Sequence, residues 1–404
     1  MTRIGTSGRT TGASLLYRLL EGILIILIQG GFIFMSEYWS TLDADELSTR
    51  HNSTEQPVTM GPGQPMSRGD NNRSAEAVAQ HNLAVALMAK QELGSAVAHF
   101  REAVRLDSDF AEAHHGLGLA LAAEGNVDEA ITEYRLALRL QPDYAIAHGS
   151  LGSALASMGE AEQAIAEYRE ALRHRPDLAT VHNNLGVQLK RTGHVEEAIE
   201  AYKEAVRLRP NEAAFHNNLG IALQDKGNLD GAIASYGTAF RLTSGGEAAR
   251  YALNLGSALL AKGDNDAAIA QFQAALRLQP ENAETHLQIG LALLAKSDHQ
   301  AAIAAFKEAI RLDPGSALAH LNLGVALQNS GNLEEAIAAY RMTTNLQPKL
   351  AITYYNLGLA YHSAGRNEEA TSALQTFLRL TEKTAESRSM IDSARMWLQI
   401  LAKE

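Results

Sequence analysis

A period of 34 residues is the feature of this sequence that most constrains its fold. Nine copies follow one another from Ala77 to Thr384, with one break in phase, a two-residue insertion placed at Glu247 and Ala248. A repeat of this length predicts a pair of helices that cannot bury its apolar side alone, so neighbouring units must stack. The units begin at Ala77, Ala111, Ala145, Ala179, Ala213, Ala249, Ala283, Ala317 and Ala351.

Recurring residues within the period predict two helices, A and B, in every unit. Counting from the first residue of a unit, position 20 is always alanine, and position 8 is glycine in eight units and Ala84 in the first. Position 24 is phenylalanine or tyrosine in eight units, so a large side chain can fill the space that small ones leave. Proline stands at position 32 in six units, where it stops helix B. We therefore predict an all-α solenoid of nine helix-turn-helix repeats.

Leucine-glycine at positions 7 and 8, alanine at 20, tyrosine at 24 and proline at 32 resemble the tetratricopeptide repeat family over residues 77–384. More narrowly, the blocks at residues 182–186 and 216–220, both His-Asn-Asn-Leu-Gly, are similar to repeats of O-linked N-acetylglucosamine transferases. Since about 20 residues follow the repeats, we expect no catalytic domain of that kind. The resemblance implies a right-handed superhelix whose inner wall of A helices binds extended polypeptide.

The N-terminal segment, residues 1–36, has two interpretations. Three arginines precede an apolar run at residues 19–35, which resembles a signal anchor, although Glu21 would be costly inside hydrocarbon. The arginines would then leave the repeats outside the cytoplasm. Alternatively, Met35 is an ordinary translation start, residues 1–34 are an over-extended gene prediction, and the protein is cytoplasmic.

Three shorter segments complete the organisation. Residues 37–76 are polar and irregular, which indicates a disordered tether. Residues 385–404 carry apolar side chains at helical spacing and predict a helix that caps the last repeat. Residues 244–246 adjoin the insertion where position 32 is not proline, so we expect a bend between units five and six.

Composition excludes several classes of function. A formal net charge of −11 disfavours nucleic acid as a partner, and the absence of cysteine removes thiolate metal sites and cysteine nucleophiles. Histidine recurs at position 4 in six units, but successive units stand on the order of 10 Å apart, too far to share one metal ion. We interpret these histidines as packing residues and expect no cofactor, no metal and no catalytic activity.

The A helices offer candidate binding residues at position 6, which is asparagine or glutamine in seven units. A carboxamide can donate to and accept from a peptide backbone, but it can also bond between neighbouring helices of the solenoid. Apolar residues at positions 5 and 9 of the later units indicate a partner surface or, equally, packing between units. The predicted peptide-binding residues are Asn82, Asn184, Asn218, Asn254, Gln288, Asn322, Asn356, Leu287, Leu291, Leu321 and Tyr355.

Together these features predict a scaffold or adaptor that holds an extended protein or peptide segment in its concave groove. One alternative is a membrane-anchored assembly factor that acts outside the cytoplasm through residues 19–35. A third hypothesis is a non-catalytic targeting subunit of a glycosyltransferase. The N-terminus discriminates the first two, because a soluble chain that starts at Met35 would lack the anchor.

Overall fold

A computed structural model of the chain describes residues 74–381 and 388–403. The predicted anchor at residues 19–35 and nearly all of the predicted tether lie outside the described residues. None of the described helices combines the length and hydropathy that a bilayer-spanning segment needs.

The described residues form nineteen α-helices and no strand, which confirms the all-α solenoid. Each unit contributes a helix A and a helix B. The A helices are α1 (Ala75–Ala89), α3 (Ala111–Ala123), α5 (Ala145–Ser157), α7 (Ala179–Arg191), α9 (Ala213–Asp225), α11 (Gly246–Lys262), α13 (Ala283–Ala295), α15 (Ala317–Asn329) and α17 (Ala351–Ser363). The B helices are α2 (Leu93–Leu106), α4 (Val127–Leu140), α6 (Ala161–His174), α8 (Val195–Leu208), α10 (Leu229–Leu242), α12 (Asn265–Leu278), α14 (His299–Leu312), α16 (Leu333–Leu346) and α18 (Asn367–Thr381).

Helices A and B of each unit pack through the small and large residues of the repeat. In unit five, Tyr236 is fully buried, and its ring lies so close to Gly220 that a Cβ there would stand 2.7 Å from a ring carbon. No side chain larger than hydrogen fits at position 8 under such a ring. Unit one differs because Ala84 replaces the glycine. There the ring of Phe100 lies against Gly116 of unit two, where a Cβ would be 2.4 Å away.

The turn between helices A and B requires a left-handed residue at position 15. Seven units use glycine there, with φ between 74° and 89°. The two units without glycine keep the same conformation, because Gln91 and Ser297 both adopt φ of 61°. An L-residue with a side chain is disfavoured in this region, so the neighbouring helices hold these two residues in it.

The insertion between units five and six lengthens a helix instead of making a loop. Helix α11 begins at Gly246, three residues before the first position of its unit, and has 17 residues where other interior A helices have 13. Gly245 precedes it with φ of 77°. The backbones of α9 and α11 approach each other less than those of the other neighbouring A helices. The bend at this junction stays a prediction.

The units stack so that each helix B packs on helix A of the next unit, and successive A helices also approach one another. Successive A helices approach one another more closely than successive B helices do, so the A helices lie on the inner side of the stack. A final helix, α19 (Arg388–Leu401), covers unit nine as predicted for a cap. The hydroxyl groups of Tyr355 and Ser393 lie 2.9 Å apart, and the rings of His362 and Trp397 have centroids 4.8 Å apart.

Candidate functional site

The asparagines of the middle units bond to one another across the boundaries between units. Asn218 donates from Nδ2 to Oδ1 of Asn183 at 2.8 Å, and Asn254 donates in the same way to Asn217 at 2.8 Å. In each pair a position-6 amide meets the position-5 amide of the preceding unit, and all four side chains are buried. Burial has removed these amides from water, so the bonds between them replace the lost hydration. At these junctions the asparagines form hydrogen bonds between neighbouring helices of the solenoid. This is the alternative to peptide binding that the sequence left open for position 6.

The same contact between positions 6 and 5 occurs near both ends of the array. Ser150 Oγ lies 3.0 Å from Nε2 of the fully buried His115, and Tyr355 meets Ser393 of the cap in the corresponding way. Desolvation by burial, together with the charge of His81, lowers the pKa of His115 to about 3. His115 is therefore neutral at pH 7 and joins two units by hydrogen bonds alone.

Two of the predicted binding asparagines have no accessible surface. Asn184 and Asn218 are 0% exposed, and Asn184 donates to Ser153 Oγ at 3.5 Å. A peptide on the inner wall cannot reach these amides unless the helices repack. At position 6 of unit two, Gly116 leaves room for the ring of Phe100, which fills the space beside it.

The position-6 amides of units seven to nine are placed differently. Gln288 and Asn356 are only 7% and 9% exposed, and their side chains form no hydrogen bond with any other residue in the described part of the chain. Asn322 donates to the carbonyl of Leu318 in its own helix at 2.8 Å and is partly exposed. In all three cases the preceding unit presents a leucine at position 5, which cannot pair with an amide. These leucines are Leu253, Leu287 and Leu321.

Apolar side chains accompany these amides on the inner wall. Of the predicted apolar residues, Leu287, Leu321 and Tyr355 are buried between units, whereas Leu291 remains partly exposed. Partly exposed Leu294, Leu318, Val325 and Ile352 extend the apolar surface beyond the predicted set. We call Gln288, Asn322, Asn356, Leu291, Leu294 and Val325 the C-terminal wall.

The inner wall of the middle units is polar and self-paired. Lys190 Nζ of unit four lies 3.1 Å from Asp225 Oδ2 of unit five, and Arg191 donates to Gln188 at 3.1 Å. Lys190 and Asp225 face one another across a unit boundary, so their charges neutralise one another at short range. The middle and C-terminal parts of the wall therefore differ in polarity and in whether their position-6 amides bond between units.

Histidine at position 4 attaches each unit to the loop before it. In six units Nε2 lies between 2.8 and 3.3 Å from a carbonyl oxygen six residues earlier, at position 32 of the preceding unit. Unit nine has Tyr354 at this position, and its hydroxyl donates to the carbonyl of Pro348 at 3.1 Å. Across residues 74–381 and 388–403, no three His, Asp or Glu side chains group closely enough to hold a metal ion. The histidines are His114, His148, His182, His216, His286 and His320.

Two of these histidines also pair with a carboxylate. Nδ1 lies 2.6 Å from Oε2 of Glu133 for His114, and 2.6 Å from Oε2 of Glu167 for His148. Burial lowers the pKa of both histidines, but hydrogen bonds to the carboxylate and the loop carbonyl, with the carboxylate charge, outweigh it. The pKa of each is raised above 6.5, because the imidazolium can donate from both nitrogens at once.

Several solved structures resemble parts of the chain. A structure of MamA residues 41 to the end, from Desulfovibrio magneticus RS-1, is 23% identical and covers 42% of this chain and 96% of its own, with a TM-score of 0.39. YrrB, described as a TPR protein with an unusual peptide-binding site, is 23% identical and covers 49% and 97%, with a TM-score of 0.40. The APC/C hetero-tetramer Cut9-Hcn1 is 16% identical and covers 91% and 81%, with a TM-score of 0.47.

No curated protein sequence is significantly similar to the chain. Family models described as tetratricopeptide repeat match residues 81–145, 217–283, 287–351 and 351–384, and a model described as TPR repeat matches residues 152–193 and 188–227. These matches cover more than half of the chain and follow the helix pairs of the structure. The chain belongs to the tetratricopeptide repeat family.

Proposed function

We propose that the chain is a protein-interaction scaffold that binds an extended peptide along the C-terminal wall, across units seven to nine. Membership of the tetratricopeptide repeat family supports the scaffold role. The proposed location rests on the hydrogen bonding of the position-6 amides. Asn218 and Asn254 bond between units, whereas Gln288 and Asn356 form no hydrogen bond with another described residue.

The chemistry of the C-terminal wall fits an extended backbone. A carboxamide offers two donors and an acceptor with two lone pairs, so it can pair with a peptide N–H and C=O at once. Three such side chains follow one another at 34-residue intervals, one per helix A, at Gln288, Asn322 and Asn356. Between them, Leu291 and Val325 provide apolar contacts that favour hydrophobic side chains in the bound segment. The partner is therefore a peptide with spaced apolar residues.

The middle units serve a different purpose in this proposal. Their amides and charges are used across unit boundaries, as in Asn183–Asn218 and Lys190–Asp225, so they stiffen the array rather than contact the partner. The His-Asn-Asn-Leu-Gly blocks, which carry the narrower resemblance to glycosyltransferase repeats, lie in these units. That resemblance, and with it a targeting role for a glycosyltransferase, stays a prediction.

The membrane-anchored alternative also stays a prediction, because the apolar run at residues 19–35 lies outside the described residues. Fractionation of cells that express the native chain, with mass spectrometry of its N-terminus, distinguishes the two locations. Recovery of a chain starting at Met35 or Ser36 in the soluble fraction would remove the anchored version.

The peptide proposal is tested with sequences selected from a random peptide library on the full chain. Affinity for a selected peptide is then measured by fluorescence anisotropy for the double variant Gln288→Ala/Asn356→Ala. We expect binding to weaken about tenfold or more, since each lost hydrogen bond contributes on the order of 1 kcal/mol. The matched control is Asn82→Ala, an exposed position-6 residue in unit one, which should bind normally. Unchanged affinity for the double variant contradicts the proposed location.

A further inference from the structure

The first helix of the solenoid exposes a face that is buried in nearly all later units. Positions 3, 7 and 10 of helix A form a stripe that packs on helix B of the unit before. At position 7, Leu117 and Leu151 are 3% and 2% exposed, whereas Leu83 of unit one is 45% exposed. Ala79 and Ala86, at positions 3 and 10, are also exposed in α1. The same repeat position is thus buried or exposed according to whether a helix precedes it.

The exposed stripe on α1 has not been converted to a polar surface. Terminal repeats of a solenoid normally carry a polar outer face or a capping element. At the other end of the array, α19 provides that cover and buries Ala394 completely. At the first end, Ala79, Leu83 and Ala86 are all apolar, and Val85 beside them is 42% exposed. This composition indicates a surface that receives a cover.

We infer that the apolar run at residues 19–35 of the same chain packs on this stripe of α1 and caps the first repeat. The inference is independent of the proposed peptide site. It gives the run a role within the protein, in place of membrane anchoring.

Chain length and position favour this occupant. The run is joined to α1 through residues 36–73, a polar stretch long enough to span up to about 125 Å when fully extended. Helix α1 has 15 residues and is about 22 Å long, so the run can reach any point along it. The run contains only Glu21 as a charged residue and is rich in leucine and isoleucine, which matches the apolar stripe.

The size of the face argues against a second copy of the chain. A stable interface between separate molecules buries about 800 Å² on each partner, more than one stripe of two alanines and a leucine offers. A tethered segment needs far less contact, because its effective concentration at the site is in the millimolar range. The small face is therefore suited to an intramolecular partner.

Cross-linking tests the contact directly, since the chain has no cysteine to cause background reaction. The full-length variant Ile26→Cys/Ala86→Cys is treated with a short bismaleimide, and products are separated by size. We expect an intramolecular product about tenfold more abundant than in the control Ile26→Cys/Ala98→Cys, because docking holds position 26 beside α1, whereas the tether alone brings it near α2 only part of the time. Ala98 is an exposed alanine on α2. The inference is overturned if the two double variants give equal yields of the intramolecular product, or if Ile26→Cys/Ala86→Cys gives mainly a covalent dimer.

Hydrogen exchange provides a second test that does not depend on cross-linker geometry. In the full chain, Leu24→Asp/Leu27→Asp should raise exchange of the α1 amides about tenfold, because the helix loses its cover. The control Leu42→Asp/Leu47→Asp, in the predicted tether, should leave it unchanged. If α1 exchange is the same in all three proteins, the run does not cover α1, and binding of the wild-type chain to lipid vesicles would then favour the membrane alternative.

Discussion

The side-chain amide of Asn218 donates a hydrogen bond to the carboxamide oxygen of Asn183 across the boundary between units four and five, with 2.8 Å between Nδ2 and Oδ1. The partner of a position-6 amide is thus the position-5 residue one unit earlier. Where that residue is asparagine, the pair joins two units. Where it is leucine, as before Gln288, the amide forms no hydrogen bond with another described residue.

The coupling of Asn183 and Asn218 predicts a stability effect. Asn218→Ala leaves a buried amide without its donor, and we expect the free energy of unfolding to fall by about 1–3 kcal/mol. Asn183→Ala should cost a similar amount, and the double variant less than the sum of the two. Urea unfolding followed by circular dichroism measures all three. The matched substitution Gln288→Ala, at position 6 of unit seven, should change stability much less. Additive losses for the pair would show that the two side chains do not interact.

Replacement of Gly220, at position 8 of unit five, is predicted to destabilise the protein. In Gly220→Ala the new methyl group meets the buried ring of Tyr236, and overpacking of this kind costs about 1–3 kcal/mol. Gly237→Ala, in helix B of the same unit, has only the end of Arg241 near the new methyl group, 3.5 Å away. That control should stabilise the protein by about 0.5–1 kcal/mol, since alanine favours helix. Thermal unfolding of the two variants should move in opposite directions, and equal shifts would contradict this packing.

The left-handed residue Ser297 offers a stabilising substitution. Its φ of 61° is unfavourable for a residue with a side chain, and glycine adopts it without steric cost. We expect Ser297→Gly to raise the free energy of unfolding by about 1 kcal/mol. The control is Ser330→Gly, in the turn after α15, where the backbone is right-handed and glycine should not stabilise. A loss of stability in Ser297→Gly would show that its side chain has a further role.

The pair of His148 and Glu167 predicts a pH dependence. The folded pKa of His148 is raised, so its contribution to stability is complete below about pH 6.5 and is lost as the pH rises through the folded pKa. Glu167→Gln should therefore destabilise the protein near pH 6 and have a smaller effect near pH 8.5. Urea unfolding at both pH values, with NMR titration of the His148 ring protons, measures it. A folded pKa at or below 6.5 would contradict the ion pair. The nearby charge of Glu170 also raises this pKa, so Glu170→Gln gives a smaller shift in the same direction.

The fold could be predicted almost completely because residues of the same type recur at the packing positions of nine units. Alanine at position 20 recurs in all nine units and glycine at position 8 in eight, because the two helices of a unit pack closely at these positions. The cap was also predictable, since α19 continues the apolar spacing of the repeats. The extra turn of α11 was not, because an insertion between helices is equally compatible with a loop.

The assignment of peptide binding to position 6 stays a prediction, and the sequence did not show how the position-6 amides differ among the units. The role of a position-6 amide depends on a residue 35 positions earlier, as in Asn183 and Asn218, and reading one position at a time misses that pair. The repeat period predicted the helix face on which Leu287 and Leu321 lie. It did not predict how deeply they are buried, because the neighbouring units determine that. Comparing position 6 of each unit with position 5 of the unit before would have separated the two groups.

The location of the bound peptide is the central claim, and hydrogen exchange of the full chain with and without a selected peptide tests it most directly. Helices α13, α15 and α17 should gain protection on binding, while α7 and α9 remain unchanged. Protection of α7 and α9 instead, or protection confined to the B helices, would contradict the claim.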